Sequence, residues 1–172
     1  MKHVTALLCV AGCLASSSAG ADEPVSHHEH HAPHGGTLVV LGEEFVHIEL
    51  VLDGDSGQLR AYVLDGEAER GVAVAQRSLD LDIAPPRGAP FRVALAPVEN
   101  VLTGEAVGST SEFAGRSERL VGLERFAGTV RQLDAKGQSF QDVRFRFPEG
   151  NEASAHAEKG RVGVSPNAGG GS

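Results

Sequence analysis

Phe45-Val46-His47-Ile48-Glu49-Leu50-Val51-Leu52-Asp53, the turn cluster Gly54-Asp55-Ser56-Gly57, and Gln58-Leu59-Arg60-Ala61-Tyr62-Val63-Leu64 together decide the fold. Folding the two arms onto each other across the turn sets Leu52 opposite Leu59, Leu50 opposite Ala61 and Ile48 opposite Val63. The reverse face then pairs Val51 with Arg60, Glu49 with Tyr62 and His47 with Leu64. One face is wholly apolar and the other mixed, which is the pattern of an antiparallel hairpin with one side on a core. Working outward, Thr37-Leu38-Val39-Val40-Leu41 is β-branched and apolar, and further strands are expected at 72–75, 78–83, 91–96, 126–133 and 140–147. In 78–83, Leu79, Leu81 and Ile83 alternate with Asp80 and Asp82. In the last strand Val143, Phe145 and Phe147 face one way and Asp142, Arg144 and Arg146 the other. A turn is expected at 134–137, a polar loop at 104–110 and a single helical turn within 117–124. Roughly six to eight short strands and no long helix predict an all-β antiparallel β-sandwich of immunoglobulin-like size over residues 35–147.

Composition narrows the classes of function. The 172 residues carry 15 Lys and Arg against 23 Asp and Glu, a formal charge of −8. Phosphate recognition needs a basic surface, so a nucleic-acid partner is not expected. No apolar run approaches the ~18–20 residues of a helical membrane span.

The N-terminus reads as an export signal. Met1-Lys2-His3 is a short basic start, an apolar stretch follows, and Val10-Ala11-Gly12-Cys13 resembles the lipobox of bacterial lipoproteins. On that reading residues 1–12 are a lipoprotein signal peptide and Cys13 is the lipidated residue, anchoring the chain to a membrane. The alternative is a plain signal peptide cut near Ala19 or Ala21. Both cysteines, Cys9 and Cys13, fall in this region, so the domain is expected to hold together without disulfides. Residues 13–34 form a His-rich tether, and residues 148–172, rich in Gly, Ser, Ala and charge, read as a disordered tail.

One segment is compositionally unusual. Five of the eight histidines lie in His27-His28-Glu29-His30-His31-Ala32-Pro33-His34. Imidazole suits Zn, Cu(II) and Ni, and a flexible run of it can wrap an ion with little strain. With Met1 leaving in the signal and no other cysteine in the domain, soft sulfur ligation of Cu(I) is not expected. His27, His28, His30, His31 and His34 are therefore candidate ligands for a divalent transition metal. His47 and Glu49 share a strand face and would supply a fixed end to such a site, with His34 arriving from the start of the fold. The competing reading makes the tract an incidental low-complexity linker and His47 an ordinary surface residue, with Glu49 paired to Arg60 or Tyr62. No phosphate loop, Gly-x-Ser-x-Gly elbow or His-Glu-x-x-His helix is present, so an enzyme is not expected.

Pro33-His34-Gly35-Gly36, Leu41-Gly42, His47-Ile48-Glu49-Leu50-Val51 and Tyr62-Val63-Leu64-Asp65 resemble, in this order, small exported bacterial proteins with a His-rich N-terminus. Similar segments occur near the N-terminus of periplasmic adaptor subunits of heavy-metal efflux systems. The resemblance implies an extracytoplasmic β-domain associated with metal handling and adds weight to His34, His47 and Glu49. The expectation is a periplasm-facing envelope lipoprotein that binds or buffers a divalent transition metal, with an envelope metal-transport protein as partner. Its alternative is a non-catalytic envelope scaffold.

Overall fold

The computed structural model describes residues 30–151. The signal peptide, Cys13, His27, His28 and the tail beyond 151 lie outside the described residues. Eight strands follow in chain order: β1 (Thr37–Leu41), β2 (Val46–Asp53), β3 (Gln58–Leu64), β4 (Leu79–Ala84), β5 (Phe91–Pro97), β6 (Glu112–Arg116), β7 (Phe126–Ala135) and β8 (Gln138–Phe147). Among the described residues the one helical element is a three-residue 3-10 turn, Glu118–Leu120.

The strands are hydrogen-bonded in the order β1-β2-β3-β6-β5-β4-β7-β8, every pair antiparallel. Most of the strands alternate buried and more exposed residues, so a flat sheet would leave its apolar face in water. The sheet folds on itself through β5, and the inward residues of both halves meet in one cluster. Ile48 and Leu50 of β2, Leu59 and Val63 of β3, Leu81 and Ile83 of β4, Phe113 of β6 and Val130 of β7 are all fully buried there. This is the all-β antiparallel architecture that the alternation predicts.

The β2–β3 register matches the expected pairing at every position, from His47 opposite Leu64 to Leu52 opposite Leu59. A one-residue slip would turn every apolar side chain outward, which is why the pattern specifies it. The β7–β8 turn is tighter than expected. Its loop is Lys136-Gly137 alone, both at positive φ (49° and 78°), the mirror-image turn that suits the twist of a hairpin.

Two strand expectations change. Residues 72–75 form no strand; the segment touches the sheet through isolated bridges, Leu64 with Gly71 and Val74 with Thr110. β6 lies in a stretch where no strand was expected, because Glu-Phe-Ala-Gly-Arg carries one large apolar residue. The reason is packing: a Cβ on Gly115 would lie 2.8 Å from the Ala94 carbonyl oxygen and 2.7 Å from Leu95, so the site admits only glycine.

The two free edges, β1 and β8, are drawn together by the chain that follows β8. Asn151 receives a hydrogen bond from Val40 N on its side-chain oxygen (2.7 Å) and returns one from its Nδ2 to Val40 O (3.0 Å). Thr37 Oγ1 donates to Pro148 O at 3.1 Å. One amide side chain thus occupies a ladder position that a bare edge would offer to another chain.

Candidate functional site

The outer face of β2, opposite the core, carries Glu49 and His47, and both are fully buried. Their cover is the chain entering β1. Residues 30–36 pass over β2, so packing begins upstream of Gly35, where the domain was expected to start.

The contacts fall in two rows across the sheet. In the first, Leu38, Glu49 and Tyr62 are register neighbours on β1, β2 and β3. His34 lies over this row, its ring stacked on Tyr62 at 3.7 Å between centroids and 9° between planes. Glu49 Oε2 accepts from His34 Nδ1 at 2.7 Å, while Oε1 accepts from the backbone amides of His34 and Gly36, each at 2.8 Å. A buried carboxylate requires such donors, because desolvating it unpaired is costly. Since a carboxylate only accepts, the proton of the neutral His34 ring sits on Nδ1 and the lone pair on Nε2.

Two glycines make this approach possible. Gly35 has φ of 71°, closing a turn in which its amide donates to Ala32 O at 3.1 Å. At Gly36 a Cβ would stand 2.5 Å from Leu50 O and 2.9 Å from Glu49 Cγ, so only a bare backbone reaches the carboxylate.

The second row is Val40, His47 and Leu64. These residues, and Ala68 of the following loop, are buried but are not part of the main core cluster. His47 Nδ1 donates to Asp65 O at 3.0 Å, which fixes its ring. Asp65 is itself held in place by its own turn: its Oδ1 accepts from the amides of Glu69 and Arg70. Burial raises the Asp65 carboxyl, but those amide bonds, with the Lys136 charge and the Glu67 amide, outweigh it and leave it below the ordinary aspartate value. His30 lies over His47 with ring centroids 4.8 Å apart. The His30 side chain is only 7% exposed, and its Nε2 stands 3.9 Å from Glu44 Oε1.

Of the expected ligands, the structure pairs His34 with Glu49 and sets His30 against His47, in two separate rows; His31 is exposed. Among the described residues, no group of three or more His, Cys, Asp or Glu side chains is gathered closely enough to hold an ion. Glu49 already accepts three hydrogen bonds. Arg60 does not compete for it, because its guanidinium donates to Glu112 at 2.6 Å.

No protein-family model, no curated protein and no solved structure matches the chain. The site is therefore read from its own chemistry. A histidine that donates Nδ1–H to a carboxylate or a carbonyl is how proteins orient imidazole toward a metal, fixing the tautomer and raising the basicity of the other nitrogen. His34 on Glu49 and His47 on Asp65 both have that form. Tyr62 was legible as the register partner of Glu49, but its stacking on His34 was not. Asp65 as a carbonyl acceptor and Glu44 as a neighbour of His30 left no signal in the sequence.

Proposed function

We propose that this chain is an exported, lipid-anchored β-sandwich of the bacterial envelope that captures or buffers a divalent transition metal through its His-rich segment. The observation that carries the reading is the carboxylate-backed His34. Its Nδ1–H is fixed by Glu49 at 2.7 Å, and its side chain remains 43% exposed. In this reading Glu49 orients His34 from behind and does not supply an oxygen to the ion, while His27, His28 and His31 bring further nitrogens along the same segment. The likeness of residues 33–65 to segments of metal-efflux adaptors supports the same class of cargo, with an envelope transport protein as recipient.

Calorimetric titration of the full chain with Zn²⁺, Cu²⁺ and Ni²⁺ tests it, beside His34→Ala. Sub-micromolar binding, stronger than about −8 kcal/mol, that weakens in the variant is the expected result. Binding weaker than about 10 µM for every ion would leave a second reading, a non-catalytic envelope scaffold. That second reading is favoured by the lack of any three-ligand group among the described residues.

A further inference from the structure

We propose that Val101 and Leu102, at the tip of the loop between β5 and β6, insert into an uncharged lipid surface and seat the sandwich on the membrane that holds its anchor. The proposal rests on the lipid-anchored reading and adds a second, apolar point of contact supplied by the folded domain itself.

The starting observation is exposure. Val101 is 99% and Leu102 95% exposed, more than any other large apolar side chain among the described residues. Turn centres are usually Gly, Pro, Asn, Asp or Ser, so two adjacent apolar residues there are out of keeping with a tip made for water. The loop holds them out firmly. Asn100 and Glu105 exchange both backbone bonds at 3.0 Å, and Asn100 Oδ1 accepts from Leu102 N at 3.0 Å. Thr103 Oγ1 donates to Glu105 Oε2 at 2.9 Å, while Glu105 Oε1 accepts from Ser111 N at 2.7 Å. The polar side chains around the tip are thus engaged within the loop, which lowers the cost of taking it out of water.

The place of the tip in the fold points to lipid. Pro97 ends β5 opposite Phe113, and Glu112 lies opposite Tyr62 near the end of β3, so the loop leaves the sheet at the end where β3 finishes. The β1–β2 turn is at that end too, because His47 lies opposite both Val40 and Leu64. The described chain enters there, with His30 beside Glu44 of that turn. Cys13 precedes His30 by seventeen residues, a reach of at most about 60 Å. The anchor therefore draws toward the bilayer the same end that carries Val101 and Leu102. An anchored chain makes this second contact intramolecular, so a contact too weak to recruit a free protein is enough to orient a tethered one. Charge decides the kind of surface. No Lys or Arg lies between Arg92 and Arg116, and the loop's own charges are Glu99 and Glu105. Anionic headgroups attract basic segments, so this tip offers an apolar contact and no electrostatic one.

The test uses the acylated chain on nanodiscs of phosphatidylcholine that contain a lipid spin-labelled on its acyl chain. Mass spectrometry first establishes that Cys13 carries an acyl group. The expected result is strong broadening of the methyl NMR signals of Val101 and Leu102, with Val107 of the same loop affected less. Val121, half exposed beside the β2–β3 turn at the opposite end, should stay sharp. A Val101→Asn/Leu102→Asn variant with an unchanged melt should lose the broadening at Val107. Equal broadening at both ends, or none at either, overturns the contact and leaves the anchor standing. Broadening that grows when phosphatidylglycerol replaces part of the phosphatidylcholine assigns the contact to charge and overturns it as well. Signals that broaden with protein concentration in the absence of the spin label show a second copy at the tip, with the same consequence. An unmodified Cys13 removes the anchored reading and this proposal with it.

Discussion

Glu49 joins sequence, packing and site more directly than any other residue. It is a fully buried carboxylate that forms no ion pair with Lys or Arg among the described residues; its three bonds come from one imidazole and two backbone amides. Glutamine keeps the shape but turns one acceptor into a donor, which must then face an N–H. Glu49→Gln is therefore expected to destabilise the domain by about 1–3 kcal/mol, the cost of a buried donor left unpaired. A urea unfolding curve with a lower midpoint and an unchanged slope would show it. Amide exchange at His34 and Gly36 should quicken before the core does. The sequence placed Glu49 and His47 on the non-core face, which is correct, and that face suggested exposure, which is not. What covers them comes from outside the hairpin: His34 over Glu49, and His30 over His47. Contacts of that separation leave no trace in a period-two pattern.

At the scale of the element, the hairpin was legible because each of its residues votes for the same register. β6 was hidden because its fit depends on Gly115 facing Ala94 and Leu95, a fact about a neighbouring strand. The segment 30–36 has the same character, and Gly36 is its narrowest point. Gly36→Ala would push a methyl group to 2.5 Å from Leu50 O, which backbone cannot easily yield. The expected cost is about 1–3 kcal/mol from overpacking, with loss of the His34–Glu49 contact seen as a shift of the His34 ring signals by NMR. The loop between β5 and β6 makes a prediction about pH. The hydroxyl of Ser111 holds the Glu105 carboxyl below its usual 4.5 despite partial burial, with the Ser111 amide and Thr103 hydroxyl adding to it. A folded-state value below the unfolded one contributes stability above about pH 4.5, and that contribution is lost as pH falls through the lowered value. Acid unfolding of Glu105→Gln should therefore be less steep than that of the wild type, while the two respond alike near neutrality.

For the whole molecule, the sandwich depends on closing an eight-stranded sheet whose ends would otherwise recruit other chains. Asn151 does this with one amide that serves as donor and acceptor to Val40. Asn151→Ala should raise hydrogen exchange at the Val40 amide and increase self-association, leaving the amides of β4 protected as before. The tail was expected to begin at 148, yet Pro148 and Asn151 take part in the fold; a polar Pro-Glu-Gly-Asn stretch gives no hint that its asparagine mimics a strand. The composition of the chain also has an optical consequence. It contains one tyrosine and no tryptophan, and that tyrosine is the ring beneath His34. Tyrosine emission from the protein therefore originates at a single place, the face where the His-rich segment meets the sheet. Lifting His34 off Tyr62, by substitution or by an ion that draws the imidazole away, should change that emission without any added dye, so the molecule carries its own gauge of whether the segment is seated.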